Sequence, residues 1–336
     1  MRWRGLQLHL LKLAASCAGL LLLLFACLFY GVNMPGEARP STLPALDSEM
    51  ISRRDRLSSH VHMLAAEIGE RHHRQKGSLD ETADYIENVF RDMGYNPVSE
   101  VYGKFGFRNV VVNLYGGEAR QEIIIVGAHY DSVVLSPGAD DNASGVAALL
   151  EIASMLKQQK LNRTVRFVAF ANEEWPYFGR ENMGSLVHAE KAADRDENIV
   201  AMLSLEMLGY FSTAENSQRY PKPLNYFYPN TADFIAFVGN LSSRDLLRRT
   251  IELFRATEQF PSEGLIAPRV LVPDIRRSDN SSFWANGYAA IMVTDTSNYR
   301  NRNYHRPRDS YDTLDYDSMT RVVTGLAKTI QELASN

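Results

Sequence analysis

The chain has 336 residues, of which 45% are hydrophobic and 23% are charged. This composition supplies enough apolar surface for a packed core, which excludes a disordered or low-complexity protein. The formal net charge is −4, so there is no basic excess and we expect no nucleic acid partner. Both cysteines, Cys17 and Cys27, lie near the N-terminus. The rest of the chain therefore has no disulfide framework, no thiolate metal site and no cysteine nucleophile.

A run of 20 uncharged residues, Leu13 to Val32, follows three basic residues near the N-terminus. About 20 apolar residues span a bilayer as a helix, and the flanking basic residues keep the N-terminus in the cytoplasm. We predict a cytoplasmic N-terminus, a signal anchor in the lipid bilayer, a linker and an extracytoplasmic globular domain, over residues 1–12, 13–32, 33–48 and 49–336. A cleaved signal peptide and a lipoprotein signal ending at Cys27 are the alternatives, and both also place the domain outside the cytoplasm.

Apolar periodicity predicts the elements of the globular domain. Helices are expected over Met50–Ile68, Leu79–Met93, Ala143–Lys157, Ser242–Thr257 and Tyr316–Leu333, and strands over Val98–Tyr102, Asn109–Tyr115, Ile123–Val126, Val165–Phe170, Ile199–Leu205, Asp233–Gly239 and Ala289–Thr294. The run Ile123–Val126 is apolar without alternation, as expected for a strand buried on both faces. Strands that alternate with helices indicate an α/β fold with helices on both faces of one sheet.

Polar residues follow the apolar runs at the points where the predicted strands end. These residues are His129 and Asp131, then Glu173 and Glu174, then Glu206, and finally Tyr304 and His305 in a later loop. The stretch Gly138 to Gly145, which contains Asp140 and Asp141, leads into a helix. Ligands bind beyond the carboxyl ends of strands in such sheets. Carboxylates gathered there repel one another unless a cation lies among them, so the pattern favours a metal site.

Each of these pieces also has an ordinary structural explanation. A His-x-Asp sequence and a Glu-Glu pair are common in surface loops, and Asp-Asp-Asn before a helix is a common N-cap cluster. Glu206 is equally compatible with a salt bridge, and His305 with a surface position. From the residues alone, a metal site and a set of unrelated polar loops both stay open, and only their joint placement at strand ends favours the metal.

At these residues the sequence resembles the two-zinc exopeptidase family that includes bacterial leucyl aminopeptidases, glutamate carboxypeptidases and glutaminyl cyclases. The resemblance lies in five stretches: His129–Asp131, Pro137–Gly145, Asn172–Glu174, Leu205–Met207 and Tyr304–Pro307. The block Gly138–Gly145 is the most specific of them, and weaker similarity extends from about Leu57 to the C-terminus. The resemblance implies a three-layer α/β sandwich with a mixed, mostly parallel sheet, and peptides as substrates.

The resemblance also implies a role for each residue at the strand ends. His129, Asp140 and Glu206 would hold one zinc ion, and Glu174, His305 and the bridging Asp140 would hold a second. Glu173 would be the general base, and the peptide bond Asp140–Asp141 would be cis. We further expect Asp131 to accept a hydrogen bond from His129 and so fix its tautomer, with Asp309 as a weaker candidate for the same role near His305. Tyr304 is expected either to stabilise the oxyanion or to be a packed aromatic.

Imidazole nitrogen and carboxylate oxygen are suitable ligands for zinc. One carboxylate bridges two ions about 3.5–4 Å apart, and a metal-activated water is a nucleophile near neutral pH. The chain departs from the family pattern at two positions: Glu206 stands where many relatives have aspartate, and Asn280 where many have histidine. The first predicts altered ligand geometry, and the second puts any substrate contact from that position in doubt.

The favoured function is a zinc aminopeptidase, with two zinc ions per chain. A carboxypeptidase needs a cationic pocket, which Arg300, Arg302, Arg306 and Arg308 are candidates to supply. A glutaminyl cyclase uses one zinc and is disfavoured by the intact Gly138–Gly145 block. A non-catalytic receptor or scaffold is disfavoured because every ligand position and Glu173 are filled. The side-chain pocket is expected in the loops Tyr210–Pro229 and Phe283–Arg302; the oligomeric state is left open.

Overall fold

The computed structural model describes residues 12–13, 15–16, 19, 29–40, 42–258 and 260–335. The predicted membrane anchor over 13–32 lies largely outside the described residues. Within the part that is described, no helix combines the length and the apolar character needed to cross a bilayer.

The described residues form one mixed sheet of eight strands. The strands are β1 (Val98–Tyr102), β2 (Phe107–Leu114), β3 (Ala119–His129), β4 (Arg163–Phe170), β5 (Asn198–Glu206), β6 (Ile235–Gly239), β7 (Ser262–Ile266) and β8 (Ala290–Thr294). Their spatial order is β1-β2-β4-β3-β5-β8-β6-β7. The central strands β4, β3, β5 and β8 are parallel to one another, whereas β2 and β6 run antiparallel to β4 and β8. The predicted mixed α/β architecture is therefore observed.

From Ser48 onward, the α-helices are α1 (Ser48–His62), α2 (Ser78–Asp92), α3 (Gly145–Leu156), α4 (Gly184–Asp194), α5 (Arg244–Thr257), α6 (Asn280–Ala285) and α7 (Tyr316–Ser335). The predicted helix over Met50–Ile68 begins two residues earlier and continues beyond α1 as a short π-type helix, Met63–Ile68. Asp47 caps α1, because its carboxylate accepts a hydrogen bond from the N–H of Met50 at 2.8 Å.

Two apolar cores cover the two faces of the sheet. In β3, Ile124 and Val126 belong to the larger core, whereas Ile123 and Ile125 belong to the smaller one. Successive side chains of a strand point to opposite faces, so this division shows that β3 is buried on both sides, as its apolar run predicted. Residues of α1, α2, α3, α5 and α7 contribute to the larger core, and residues of α4 and α6 to the smaller one.

The stretch that precedes α1 lies against the domain. The carbonyl oxygen of Ala38 accepts a hydrogen bond from the N–H of Ser262 in β7 at 2.9 Å. Arg39 makes two hydrogen bonds with the carboxylate of Asp233, at 2.9 and 3.1 Å. Part of the predicted linker over 33–48 is therefore held on the surface of the sheet's β7 edge.

Candidate metal centre

The predicted site residues converge at one edge of the sheet. His129 is the last residue of β3 and Glu206 the last residue of β5, while Glu173 and Glu174 come three and four residues after the end of β4. His305 comes from the loop after β8. Because β4, β3, β5 and β8 are adjacent parallel strands, their carboxyl ends meet at the same edge. The convergence predicted from the apolar runs is observed.

Five side chains form two overlapping groups at this edge. In the first, Nε2 of His129 lies 3.3 Å from Oε2 of Glu206 and 3.4 Å from Oδ1 of Asp141. In the second, Nε2 of His305 lies 3.1 Å from Oδ2 of Asp141 and 3.2 Å from Oε1 of Glu174. Asp141 therefore turns one carboxylate oxygen toward each group.

The arrangement fits a pair of zinc ions. Zinc bonds of about 2.0–2.1 Å in a tetrahedron place the ligand atoms roughly 3.3–3.4 Å from one another, close to the separations observed here. Two of the facing atoms, Nε2 of His129 and Oε1 of Glu174, are fully buried and make no hydrogen bond within the described residues. Buried polar atoms are almost always paired. A cation between these atoms would supply the missing partner.

The predicted ligand Asp140 is the exception, because the structure places the neighbouring Asp141, and not Asp140, in the two groups. The carboxylate of Asp140 points away from both groups: it accepts hydrogen bonds from the N–H of Gly209 at 2.9 Å and from the side-chain amide of Asn301 at 2.7 Å. The reason is local, since Asp141 and Asn142 have non-helical dihedral angles inside the turn Ala139–Ser144. The predicted cis bond at Asp140–Asp141 was wrong by the same one residue, because the observed cis bond is Asp141–Asn142.

The charges and the burial of the second group shift the pKa values of its members. Burial lowers the pKa of His305, but the nearby Asp141 and Glu174 carboxylates outweigh it and raise that pKa to about 10. Burial and the charge of Asp141 raise the pKa of Glu174 to about 7. Asp141 behaves in the opposite way: the two histidines, His129 and His305, hold its pKa below the ordinary value despite its burial. The Asp141 carboxylate thus favours its charged form at the point where the two groups meet.

Glu173 lies beside this cluster. Its Oε2 is 3.9 Å from Nε2 of His129, and its side chain is buried. Burial raises the pKa of Glu173 well above its usual range, and the charges of Glu174 and Glu206 add to the effect. A carboxylate with a raised pKa accepts a proton readily, which is the property a general base needs.

Asp131 orients two parts of the site at once. Its two carboxylate oxygens accept hydrogen bonds from the backbone N–H groups of Glu173 and Glu174, each at 3.0 Å. Nδ1 of His129 lies 3.1 Å from the carbonyl oxygen of Asp131 and 3.5 Å from its carboxylate. The partner of the His129 ring is thus chiefly the carbonyl of Asp131, and its carboxylate positions the Glu173–Glu174 turn.

Two further residues, Asp309 and Ser278, position parts of the site. Both oxygens of Asp309 accept hydrogen bonds, from the N–H of Asp140 at 2.9 Å and from that of Asp141 at 3.1 Å. Asp309 therefore holds the turn that carries Asp141, which differs from its predicted place beside His305. Ser278 donates a hydrogen bond of 2.6 Å to Oε2 of Glu206 and so fixes the orientation of that carboxylate.

Tyr304 stands at the rim of the site, where its ring stacks on that of His305 with centroids 3.8 Å apart. Its hydroxyl accepts a hydrogen bond from Arg277 at 3.2 Å. Burial raises the pKa of the Tyr304 phenol, with a contribution from the Asp141 and Glu174 charges. The hydroxyl therefore stays protonated and lies next to the guanidinium of Arg277.

Among the four arginines expected for a carboxypeptidase pocket, Arg300 does not fit that role. It is only 3% exposed. Its guanidinium donates hydrogen bonds to Gln218 at 2.8 Å and to the carbonyl of Phe234 at 2.8 Å. Arg300 thus ties loops together within the protein.

Comparison with known proteins places the chain in a family. The model of peptidase family M28 matches residues 109–330. YfbL of Escherichia coli (strain K12) is 37% identical over 283 residues, which cover 81% of this chain and 86% of YfbL. Aminopeptidase YwaD of Bacillus subtilis is 40% identical over 88 residues, covering 26% of this chain and 18% of YwaD.

Solved structures share the fold. LapB from Legionella pneumophila superposes with a TM-score of 0.66 and 20% identity, covering 90% of this chain and 79% of LapB. The zinc aminopeptidase BSAP from Bacillus subtilis gives a TM-score of 0.64 at 14% identity, covering 84% of this chain and 95% of BSAP. A glutaminyl cyclase from Bacteroides thetaiotaomicron gives 0.61 at 16% identity, covering 88% of this chain and 99% of that chain.

The fold and the matches define the class as a zinc metallopeptidase, which is a hydrolase. The chain belongs to peptidase family M28. The resemblance drawn from the five sequence stretches is confirmed, and the family supports the predicted zinc exopeptidase.

Proposed function

We propose that the chain is an aminopeptidase that removes N-terminal residues from peptides with the help of two zinc ions. His129, Asp141 and Glu206 would hold one ion, and Asp141, Glu174 and His305 the other. The observation that carries this proposal is the placement of the two Asp141 oxygens, one toward each group, at 3.4 and 3.1 Å from the two imidazole nitrogens. A single bridging carboxylate is the arrangement that two-metal hydrolysis uses.

Bound zinc supplies Lewis acidity, which polarises a carbonyl group and makes a water molecule acidic enough to react near neutral pH. Side chains of the protein transfer the proton, hold the site in place and stabilise the developing charge. Glu173 takes the proton from the attacking water and delivers it to the leaving amine. Asp131 keeps Glu173 in place through the backbone N–H bond. Tyr304 and Arg277 present an O–H and a guanidinium at the rim, where negative charge develops on the substrate.

The presence of Glu173 and of both ligand groups disfavours a non-catalytic scaffold. The two-sided placement of Asp141 favours a two-metal peptidase over a one-metal cyclase, although a cyclase shares the fold. The internal hydrogen bonds of Arg300 weaken the case for a carboxypeptidase. We therefore expect the substrates to be peptides with a free N-terminal amine.

The anchor and the extracytoplasmic placement of the domain belong to the same proposal and are supported by the sequence of Leu13–Val32 alone. Alkaline phosphatase fused to the C-terminus tests them in bacteria. Activity of the fusion, together with recovery of the chain in the membrane fraction, is expected. An inactive fusion with the chain in the soluble fraction would overturn the placement.

The reaction class is tested with a panel of aminoacyl amides, N-acetylated peptides and peptides with N-terminal glutamine, each with and without a chelator. We expect release of the first residue from free-amine substrates only, loss of that activity with chelator, and recovery with zinc. Cleavage of N-acetylated peptides from the C-terminal end would show a carboxypeptidase. Cyclisation of N-terminal glutamine without hydrolysis would show a cyclase.

A further inference from the structure

A cavity that is open to solvent lies beside the metal centre. Glu206 and Tyr304 border it at the metal end. Its walls come from the predicted pocket loops, through Tyr220 and Thr296, and also from β6, β7 and the 272–277 loop, which the sequence did not point to. Its lining is mostly apolar, which suits a substrate side chain.

The register of the sheet shows how the cavity extends. Glu206 in β5 pairs with Thr294 in β8, Thr294 pairs with Ala236 in β6, and Ala236 pairs with Glu263 in β7. All four residues line the cavity. Four strands span three inter-strand spacings of about 4.8 Å, so the Cα atoms of Glu206 and Glu263 lie roughly 14 Å apart. The cavity thus runs across the sheet from the metal ligand Glu206 to a second carboxylate, Glu263.

Glu263 is an acidic group at the far end of an apolar cavity. Its side chain is only 16% exposed and, within the described residues, it accepts no hydrogen bond; its nearest cation is Nε of Arg39, at 3.8 Å. Burial raises the pKa of Glu263 to about 7, even though Arg39 and Arg255 lower it. Asp233 is the other acid facing this group.

Both neighbouring arginines are held by other acceptors. Arg39 makes its two hydrogen bonds with Asp233. Arg255 donates to the carbonyl oxygen of Ser262 at 2.6 Å and to that of Pro35 at 2.8 Å. Glu263 therefore keeps its hydrogen-bonding capacity for a donor that arrives through the cavity.

The walls near Glu263 suit a cation. Tyr220 and Tyr228 stack with ring centroids 5.5 Å apart and an interplanar angle of 26°, and both line the cavity. Their hydroxyls are taken by the carbonyl oxygens of Pro229 and Gly264, which leaves the aromatic surfaces for the occupant. Aromatic surfaces attract ammonium and guanidinium groups.

We infer that this cavity accepts the side chain of the substrate's first residue, and that Glu263 selects a long side chain with a cationic end, arginine or lysine. This inference rests on the proposed aminopeptidase function, because the metal end of the cavity is where the scissile bond would lie. A short side chain leaves Glu263 without a donor, whereas an acidic one brings a second negative charge beside it.

Arginine and citrulline form a matched substrate pair, because citrulline has nearly the same shape without the charge. We expect the full chain to hydrolyse arginyl-4-nitroanilide with a kcat/KM at least tenfold above that for citrullinyl-4-nitroanilide. In Glu263→Gln this ratio should fall to within threefold of one. Glu252→Gln, which removes an exposed carboxylate on α5 that pairs with Arg249, is the control and should keep the wild-type ratio.

Binding of argininamide and citrullinamide, measured by calorimetry on the zinc-loaded protein, gives a second measurement that needs no turnover. Tighter binding of argininamide in the wild type, lost in Glu263→Gln, supports the selection by Glu263. Equal binding of both amides in the wild type, or an unchanged preference in Glu263→Gln, overturns it. If the amides show the preference but no aminoacyl substrate is hydrolysed, the aminopeptidase function fails while the cationic pocket stands.

Discussion

Two buried groups of acidic residues meet at one turn of the chain, one around Asp140 and the other around Asp141. They differ in the partners that their carboxylates contact. Asp140 is satisfied inside the protein, by Gly209 and Asn301. Asp141, the next residue, faces two imidazole nitrogens together with Glu174 and Glu206. Its cluster contains buried atoms without hydrogen-bond partners, in contrast to the carboxylate of Asp140. Because hydrogen-bond donors of the protein contact Asp140, whereas atoms of the Asp141 cluster have no such donor, the Asp141 cluster is the one suited to bind cations.

Asp295 extends the satisfied cluster. Its oxygens accept hydrogen bonds from the N–H groups of Tyr210 at 3.0 Å and of Ser297 at 2.8 Å. Burial raises the pKa of Asp295 to about 6, although the Arg300 charge lowers it. This region joins the loops that carry Asn301 and, four residues later, His305. We expect this region to position those loops, so that its mutation lowers the stability of the fold.

The largest effect is expected from Glu173→Gln. The amide keeps the size of the side chain but cannot accept the proton of the attacking water, so kcat should fall by about 10²–10⁴-fold. Zinc content, measured by atomic emission, should not change, since Glu173 is outside both ligand groups. Glu118→Gln, at an exposed position, is the matched control. An active Glu173→Gln variant would remove this residue from the mechanism.

Asp141→Asn and Asp140→Asn test the contrast between the two clusters directly. Asp141→Asn should lower zinc content from about two ions per chain to one or fewer, because each group loses an anionic ligand. Asp140→Asn should keep its zinc. Its free energy of unfolding should fall by about 1–3 kcal/mol, because the new amide group offers a donor where the Asn301 amide needs an acceptor. Zinc analysis and urea unfolding measure the two quantities. Zinc loss confined to Asp140→Asn would reverse the assignment.

His305→Ala should remove one zinc ion and leave the other, because His305 belongs to the second group alone. The first group keeps His129, Asp141 and Glu206, so about one ion per chain is expected. Replacement of the nearby exposed Arg306 by Ala is the control and should leave the stoichiometry at two. Unchanged zinc content in His305→Ala would refute this ligand.

The smallest effect concerns Glu263, a largely buried acid that accepts no hydrogen bond within the described residues and lies outside both ligand groups. Its pKa rises from 4.5 to about 7 on folding. Between these values the unfolded chain binds fewer protons than the folded one, so the wild type loses stability as the pH rises. Glu263→Gln should therefore gain relative stability from pH 4.5 to pH 7 and change little below that range. Urea midpoints at several pH values test this, and a pH-independent difference would contradict the raised pKa.

Much of the metal edge could be predicted from the sequence, because apolar runs locate the strands and polar residues at their ends share one edge. His129, Glu174, Glu206 and His305 were placed together at this edge in this way. The choice between Asp140 and Asp141 could not, since it depends on non-helical dihedral angles within one turn. Glu263 gave no signal either, because its place in the cavity follows from the pairing of β6 with β7 and β8.

The central claim is that Asp141 bridges two zinc ions. Anomalous diffraction at the zinc absorption edge, from crystals of the zinc-loaded protein, tests it most directly. We predict two peaks about 3.5–4 Å apart, one beside each oxygen of Asp141. A single peak, or peaks beside Asp140, would contradict the claim.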